Sequence, residues 1–140
     1  ALEGQESSRF HSFPYLYSEE MGAALASADL VLSRAGASTL GEFPYFGLPA
    51  ILVPYPYAWR YQRVNAQWLA DRGAALVVED TDLAETLIST VQALLEDEAR
   101  LSEMSRAAKA LASPDAARKL AEILINLPKS KIVNRKSQNG

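Results

Sequence analysis

The sequence predicts an α/β fold, a Rossmann-like parallel sheet flanked by helices. Three observations carry that prediction. Short, continuously apolar runs at Leu30–Ser33, Ala50–Val53 and Ala75–Val78 read as strands buried on both faces. Longer stretches with helical periodicity alternate with them. Glycines or prolines punctuate most changes of period. Strand–helix alternation of this kind favours parallel pairing under two layers of helix. A further strand is expected near Arg9–Phe13. Four strands are few for a doubly wound sheet, so the chain reads as the later part of such a domain.

Ser18-Glu19-Glu20 opens a helix to about Ser27, the hydroxyl acting as cap and the acids facing the positive helix end. Leu30–Ser33 follows as the first strand. Gly36 and Gly47 bracket a short helix over Thr39–Phe46, and Pro54 and Pro56 stop the second strand, Ala50–Val53. Arg60–Arg72 is helical, with Tyr61, Val64, Trp68 and Leu69 as its apolar stripe. Gly73 ends it before Ala75–Val78. Three amphipathic helices follow. Their apolar faces are Leu83, Leu87, Ile88, Val91, Leu94 and Leu95; then Leu101, Met104, Ala108 and Leu111; then Leu120, Ile123, Leu124 and Leu127. Residues 1–127 therefore read as one partial domain, and 128–140 as a basic flexible tail.

Composition narrows the chemistry. The 140 residues are 49% hydrophobic, enough for an ordinary core and unlike a disordered tail. No apolar run approaches the roughly 18–20 residues of a membrane span. The start, ALEGQESS, lacks the basic-then-apolar pattern of a secretory signal. Without cysteine there is no disulfide, thiolate metal site or cysteine nucleophile. The single histidine, His11, leaves little for a zinc centre or a Ser-His-Asp triad. No metal or cofactor is expected in this chain. A net charge of −3 gives no general attraction to nucleic acid. Lys129, Lys131, Arg135 and Lys136 lie in the tail without an acid, which leaves −7 on residues 1–127.

Ligands of doubly wound sheets bind beyond the carboxyl ends of the strands, and two stretches lie there. SRAGASTLGE, Ser33 to Glu42, leaves the first strand and enters a helix. Gly36 permits backbone angles that other residues resist, and Ala37 and Ser38 are small enough for close approach. Free N–H groups at the helix start then suit an anion such as a diphosphate. The same pattern is also an ordinary strand–turn–helix. Glu42 likewise has two readings: a ligand contact, or the far half of a Thr39-x-x-Glu42 capping box. The second stretch is PYPYAWRYQRVN, Pro54 to Asn65. Gln62 and Asn65, at i and i+3, suit sugar hydroxyls or simply a solvated surface.

The stretch ADLVLSRAGASTLGEFPYFGLPAILVPYPYAWRYQRVNAQWLADRGAALVV resembles the C-terminal, donor-binding domain of the MurG family. Those bacterial enzymes transfer GlcNAc from UDP-GlcNAc to lipid-linked MurNAc-pentapeptide, converting lipid I to lipid II in peptidoglycan synthesis. The resemblance runs from about Phe13 to Leu124. Its most specific part is S-R-A/S-G-A-x-T-x-x-E, followed by G-L-P-A, a VP loop and Q-x-x-N. It implies the later part of a GT-B C-terminal domain. It further implies that amides at Ala37, Ser38 and Thr39 face the diphosphate and sugar, that Glu42 binds the ribose hydroxyls, and that Gln62 bonds the GlcNAc ring. Arg34 and Gly36 would support the loop, and Asn65 would hold the next loop in place.

Two departures stand out. Relatives often carry consecutive glutamines where this chain has Tyr61-Gln62, and Pro44 replaces a helix former, removing one helical hydrogen bond. The resemblance also implies an N-terminal acceptor domain, carrying the proposed base, that is not in this chain. A donor-domain fragment inactive by itself is expected, with UDP-GlcNAc as ligand and the lipid-linked acceptor reached through the other half. The full-length protein would be cytoplasmic, peripheral on the cytoplasmic face of the cell membrane. Alternatives are a non-catalytic UDP-sugar-binding subunit that needs a separate acceptor chain, and a UDP-GlcNAc 2-epimerase-like domain, against which the lone His11 argues. Self-association through an exposed sheet edge is expected too.

Overall fold

The computed structural model describes residues 9–57 and 61–127. Six helices and three strands follow in chain order. They are α1 (Ser18–Ser27), β1 (Val31–Ser33), α2 (Thr39–Phe46), β2 (Ala50–Leu52), α3 (Tyr61–Ala70), β3 (Ala75–Val77), α4 (Leu83–Leu95), α5 (Glu98–Ala110) and α6 (Ala116–Ile125). The expected tail, 128–140, and the expected helix start at Arg60 lie outside the described residues.

The strands form one parallel sheet in the order β1-β2-β3, as the apolar runs predict. Val31, Ala50 and Ala75 are in register, as are Leu32, Ile51 and Leu76. Side chains alternate across the sheet, so β2 feeds two cores. Ala50 and Leu52 join Ala35, Phe43, Leu48, Ala66, Leu69 and Ala108 on one side. Ile51 packs with Val53, Val78, Leu94 and Met104 on the other. Helix α5 contributes to both, through Met104 and Ala108, and so locks the two layers together.

Several expectations fail in instructive ways. No strand forms at 10–13, where the backbone is irregular among the described residues. That segment pairs with no described strand, and an extended segment without a ladder is not held as a strand. Leu32 belongs to a strand expected to be covered on both faces, yet it is 46% exposed because it lies on an edge strand. Ser18 is not a cap but the first helical residue of α1; the Glu20 carboxylate instead accepts from the Tyr17 N–H at 2.9 Å. In α3 the expected stripe is met only at Leu69, which is buried. Tyr61, Val64 and Trp68 face outward, and the helix docks through Ala66 and Leu69. Small Ala66 allows close approach to the sheet, whereas a large aromatic there would overpack it. Ile88 and Leu95 also leave the core face of α4. Helix α6 buries no residue, and Leu120, Ile123, Leu124 and Leu127 all remain open.

Helix α2 is held firmly despite its eight residues. Pro44 is fully buried, Gly47 ends the helix with φ 67°, and two α5 side chains meet carbonyls at the helix end. Ser105 Oγ donates to the Gly47 carbonyl at 2.7 Å, and Lys109 Nζ donates to the Tyr45 carbonyl at 2.6 Å. A short helix with an internal proline needs such outside ties.

Candidate functional site

The carboxyl ends of β1, β2 and β3 point their connections to one side, as parallel strands require. The first connection, Arg34–Ser38, is pinned from below. Buried Thr39 donates its hydroxyl to the Gly36 carbonyl at 2.6 Å, and Asn65 Nδ2 donates to the Ala35 carbonyl at 3.0 Å. Backbone φ is not positive at Gly36, contrary to the reason expected for a glycine there; of the described glycines only Gly47 and Gly73 adopt it. A Cβ at Gly36 would meet nothing within 4 Å. The fold itself therefore does not require glycine at this position.

The N–H groups of Gly36, Ala37 and Ser38 donate to no backbone or side-chain acceptor among the described residues. Thr39 differs from the expectation, because its N–H already reaches the Gly36 carbonyl at 3.3 Å. Ser38, not Thr39, is the N-cap residue of α2. With that register the Thr39–Glu42 capping box does not form. Glu42 is exposed and has no side-chain partner among the described residues. Ser38 and Glu42, one helical turn apart, line a hollow of about 720 Å³ with Tyr15, Leu16, Met21 and Tyr45. Tyr15, Leu16 and Tyr45 were not singled out by sequence reasoning. An aromatic pair spaced across an irregular segment and a helix carries no periodic signal.

The second connection, after β2, is braced differently. Gln62 Oε1 accepts from the Tyr55 N–H at 2.8 Å, which ties Tyr55 to the start of α3. Arg34 donates to the Val53 carbonyl at 3.4 Å, pairs with Asp80 and faces the Tyr55 ring at 5.3 Å. Arg63 and Glu79 form a bidentate pair at 2.7 and 2.6 Å. These groups border a second hollow of about 580 Å³, lined by Pro54, Tyr55, Pro56, Arg63, Glu79, Asp80 and Thr81. Glu42, in the first turn of α2, and Gln62, in the first turn of α3, thus do not line one described cavity. Asn65, the remaining polar residue of the motif, lies against a small apolar hollow with Leu40, Val64 and Trp68. Among the described residues no cluster of His, Cys, Asp and Glu could hold a metal ion.

A family description matches most of the chain that carries this arrangement. The glycosyltransferase family 28 C-terminal domain matches residues 3–120. The chain belongs to this family. A relative from Chlorobaculum parvum, the UDP-N-acetylglucosamine–N-acetylmuramyl-(pentapeptide) pyrophosphoryl-undecaprenol N-acetylglucosamine transferase, is 47% identical over 116 residues, covering 81% of this chain and 32% of the relative. The same-named protein of Actinobacillus pleuropneumoniae serotype 5b is 44% identical over 112 residues, with 79% and 32% covered. The crystal structure of Acinetobacter baumannii MurG superposes with a TM-score of 0.71 at 32% identity, covering 79% of this chain and 32% of that one. The family 28 chain described here therefore spans about a third of the length of the curated relatives it matches. Its Rossmann-like sheet is the GT-B arrangement of that neighbour.

Proposed function

We propose that this chain is the donor-binding part of an inverting N-acetylglucosaminyltransferase that takes GlcNAc from UDP-GlcNAc to lipid-linked MurNAc-pentapeptide in peptidoglycan synthesis. The observation that carries the reading is the juxtaposition of three amides, at Gly36, Ala37 and Ser38, and the Glu42 carboxylate, all without a partner among the described residues. The amides and the helix start suit the diphosphate, whose charge grows as UDP leaves. Glu42 suits the paired ribose hydroxyls, with the nucleoside in the hollow beside Tyr15 and Leu16. Gln62 takes the sugar. Arg34 and Asn65 hold the two loops through the bonds described above, and Gly36 leaves room for the phosphate.

In the reaction an acceptor hydroxyl attacks the anomeric carbon from the face opposite UDP. The new C–O bond forms as the bond to the β-phosphate oxygen breaks, and that oxygen keeps the electron pair. The hydroxyl proton passes to a base outside this chain, in the acceptor half. Residues 1–127 act as one donor-binding unit in this scheme, and no helix among the described residues is long and apolar enough to cross a membrane. Contact with the lipid-linked acceptor, at the cytoplasmic membrane face, is assigned to that other half.

Titration of the labelled chain with UDP-GlcNAc and with UDP, followed by backbone amide shifts, tests the proposal. Saturable shifts are expected at Gly36–Ser38 and Glu42. Absence of shifts there at millimolar ligand would overturn it.

A further inference from the structure

Gln62 is held in one sense only. Its partner is a backbone N–H, which can only be met by the amide oxygen, so Oε1 is engaged with Tyr55. The Nε2 group has no partner among the described residues. Tyr55 is held in turn. Its ring lies against the Arg34 guanidinium, and Arg34 is anchored by the Val53 carbonyl and by Asp80. One chain of contacts therefore runs from the segment after β3 through the turn after β1 to Tyr55 after β2, and ends on the Gln62 amide.

We infer that Asp80, acting through Arg34 and Tyr55, is a positioning residue that fixes Gln62 as a hydrogen-bond donor to the ligand's sugar. The inference rests on the nucleotide-sugar reading above and adds a sense of recognition to it. Gln62 offers N–H, so it reads an acceptor oxygen, a ring hydroxyl or an acetamido carbonyl. The Arg34 and Asp80 side chains are 45% and 35% exposed. An ion pair so open to water contributes little stability, and loss of Asp80 should leave the fold in place. What it removes is the restraint on Arg34, and with it the order of the Tyr55 segment.

The test compares UDP-GlcNAc with UDP on the full chain by calorimetry, with hydrogen exchange at the Tyr55 amide as a ligand-free readout. Asp80→Ala is expected to weaken UDP-GlcNAc by about tenfold, one hydrogen bond's worth, while UDP changes by less than about twofold. Its Tyr55 amide should lose protection. Asp80→Asn, which keeps an acceptor for Arg34, should restore much of both. Gln62→Glu keeps the bond to Tyr55 but removes the donor, so protection should stay and the sugar preference should go. Equal loss for both ligands in Asp80→Ala would assign Asp80 to the fold and overturn the inference. So would a protected Tyr55 amide in that variant, or unchanged UDP-GlcNAc binding. A wild-type chain that binds neither ligand while its Tyr55 amide responds as described would overturn the nucleotide reading, and with it the sugar contact.

Discussion

Asn65 reaches across from α3 to donate its Nδ2 hydrogen to the Ala35 carbonyl, 30 residues earlier in the chain, at 3.0 Å. Ala35 is completely buried, so that carbonyl has no ready access to water. Removing the donor leaves the acceptor unsatisfied, at a cost of about 1–3 kcal/mol. Asn65→Ala is therefore expected to lower the urea midpoint. Asn65→Asp, which places an acceptor against an acceptor, should lower it at least as much. An unchanged midpoint in both would show that the turn before Ser38 does not depend on this bond.

Gly36 gives the sharpest separation of stability from binding. Its φ is not positive, and an added methyl meets no protein atom. Gly36→Ala should leave the fold intact or strengthen it by about 0.4–1 kcal/mol through a less flexible unfolded chain. The same methyl would stand where the proposed diphosphate approaches the amides, so UDP affinity should fall. Thermal unfolding and UDP titration of one variant read both effects, and retained affinity would move the phosphate elsewhere.

Glu42→Gln tests the ribose contact. The carboxylate supports no capping box and pairs with nothing described, so the melting temperature should barely move. Charge-assisted hydrogen bonds contribute roughly 1.5–3 kcal/mol, and loss of part of that should weaken both UDP and UDP-GlcNAc. Equal binding by the folded variant and the wild type would remove Glu42 from the site.

Two leucines should behave in opposite ways. Leu94 is buried between α4 and the sheet, and Leu94→Ala should cost about 2–5 kcal/mol. Leu124→Ser, on the open face of α6, should cost little, because 61% of Leu124 already meets solvent. Denaturation of the two variants checks the contrast.

Strand β1 lies at one edge of the sheet, with no further strand beside it among the described residues, and its own Leu32 is open. Unpaired edges invite pairing with other chains. Sedimentation across a concentration series is expected to show reversible self-association, weakened by Leu32→Lys. A strictly monomeric chain at high concentration would mean that the edge is covered.

The sequence made some features legible and hid others for identifiable reasons. The bounds of α2 could be read because Gly47 has no other way to end a helix so sharply, and the three strands because each is an unbroken apolar run. The face of α3 could not. Periodicity marks Tyr61, Val64, Trp68 and Leu69, of which only Leu69 is buried, and the contact is completed by small Ala66, which no apolar pattern singles out. The role of Glu42 was undecidable from spacing, since a shift of the cap from Thr39 to Ser38 dissolves the capping box. The pairs Arg34–Asp80 and Arg63–Glu79 join residues 46 and 16 positions apart, and no local pattern announces such partners.

Because β2 lies between its neighbours, each ladder joins strands that are successive in sequence: Val31 meets Ala50, and Ala50 meets Ala75. Each closure spans one helix, and loop-closure entropy grows only slowly with length. Contacts of that range are formed early compared with distant strand pairings. The same closures create the loops that carry Gly36–Ser38 and Tyr55–Gln62. A chain emerging from the ribosome would therefore hold both of the proposed ligand-facing segments once α5 had closed the two cores, with α6 still to come.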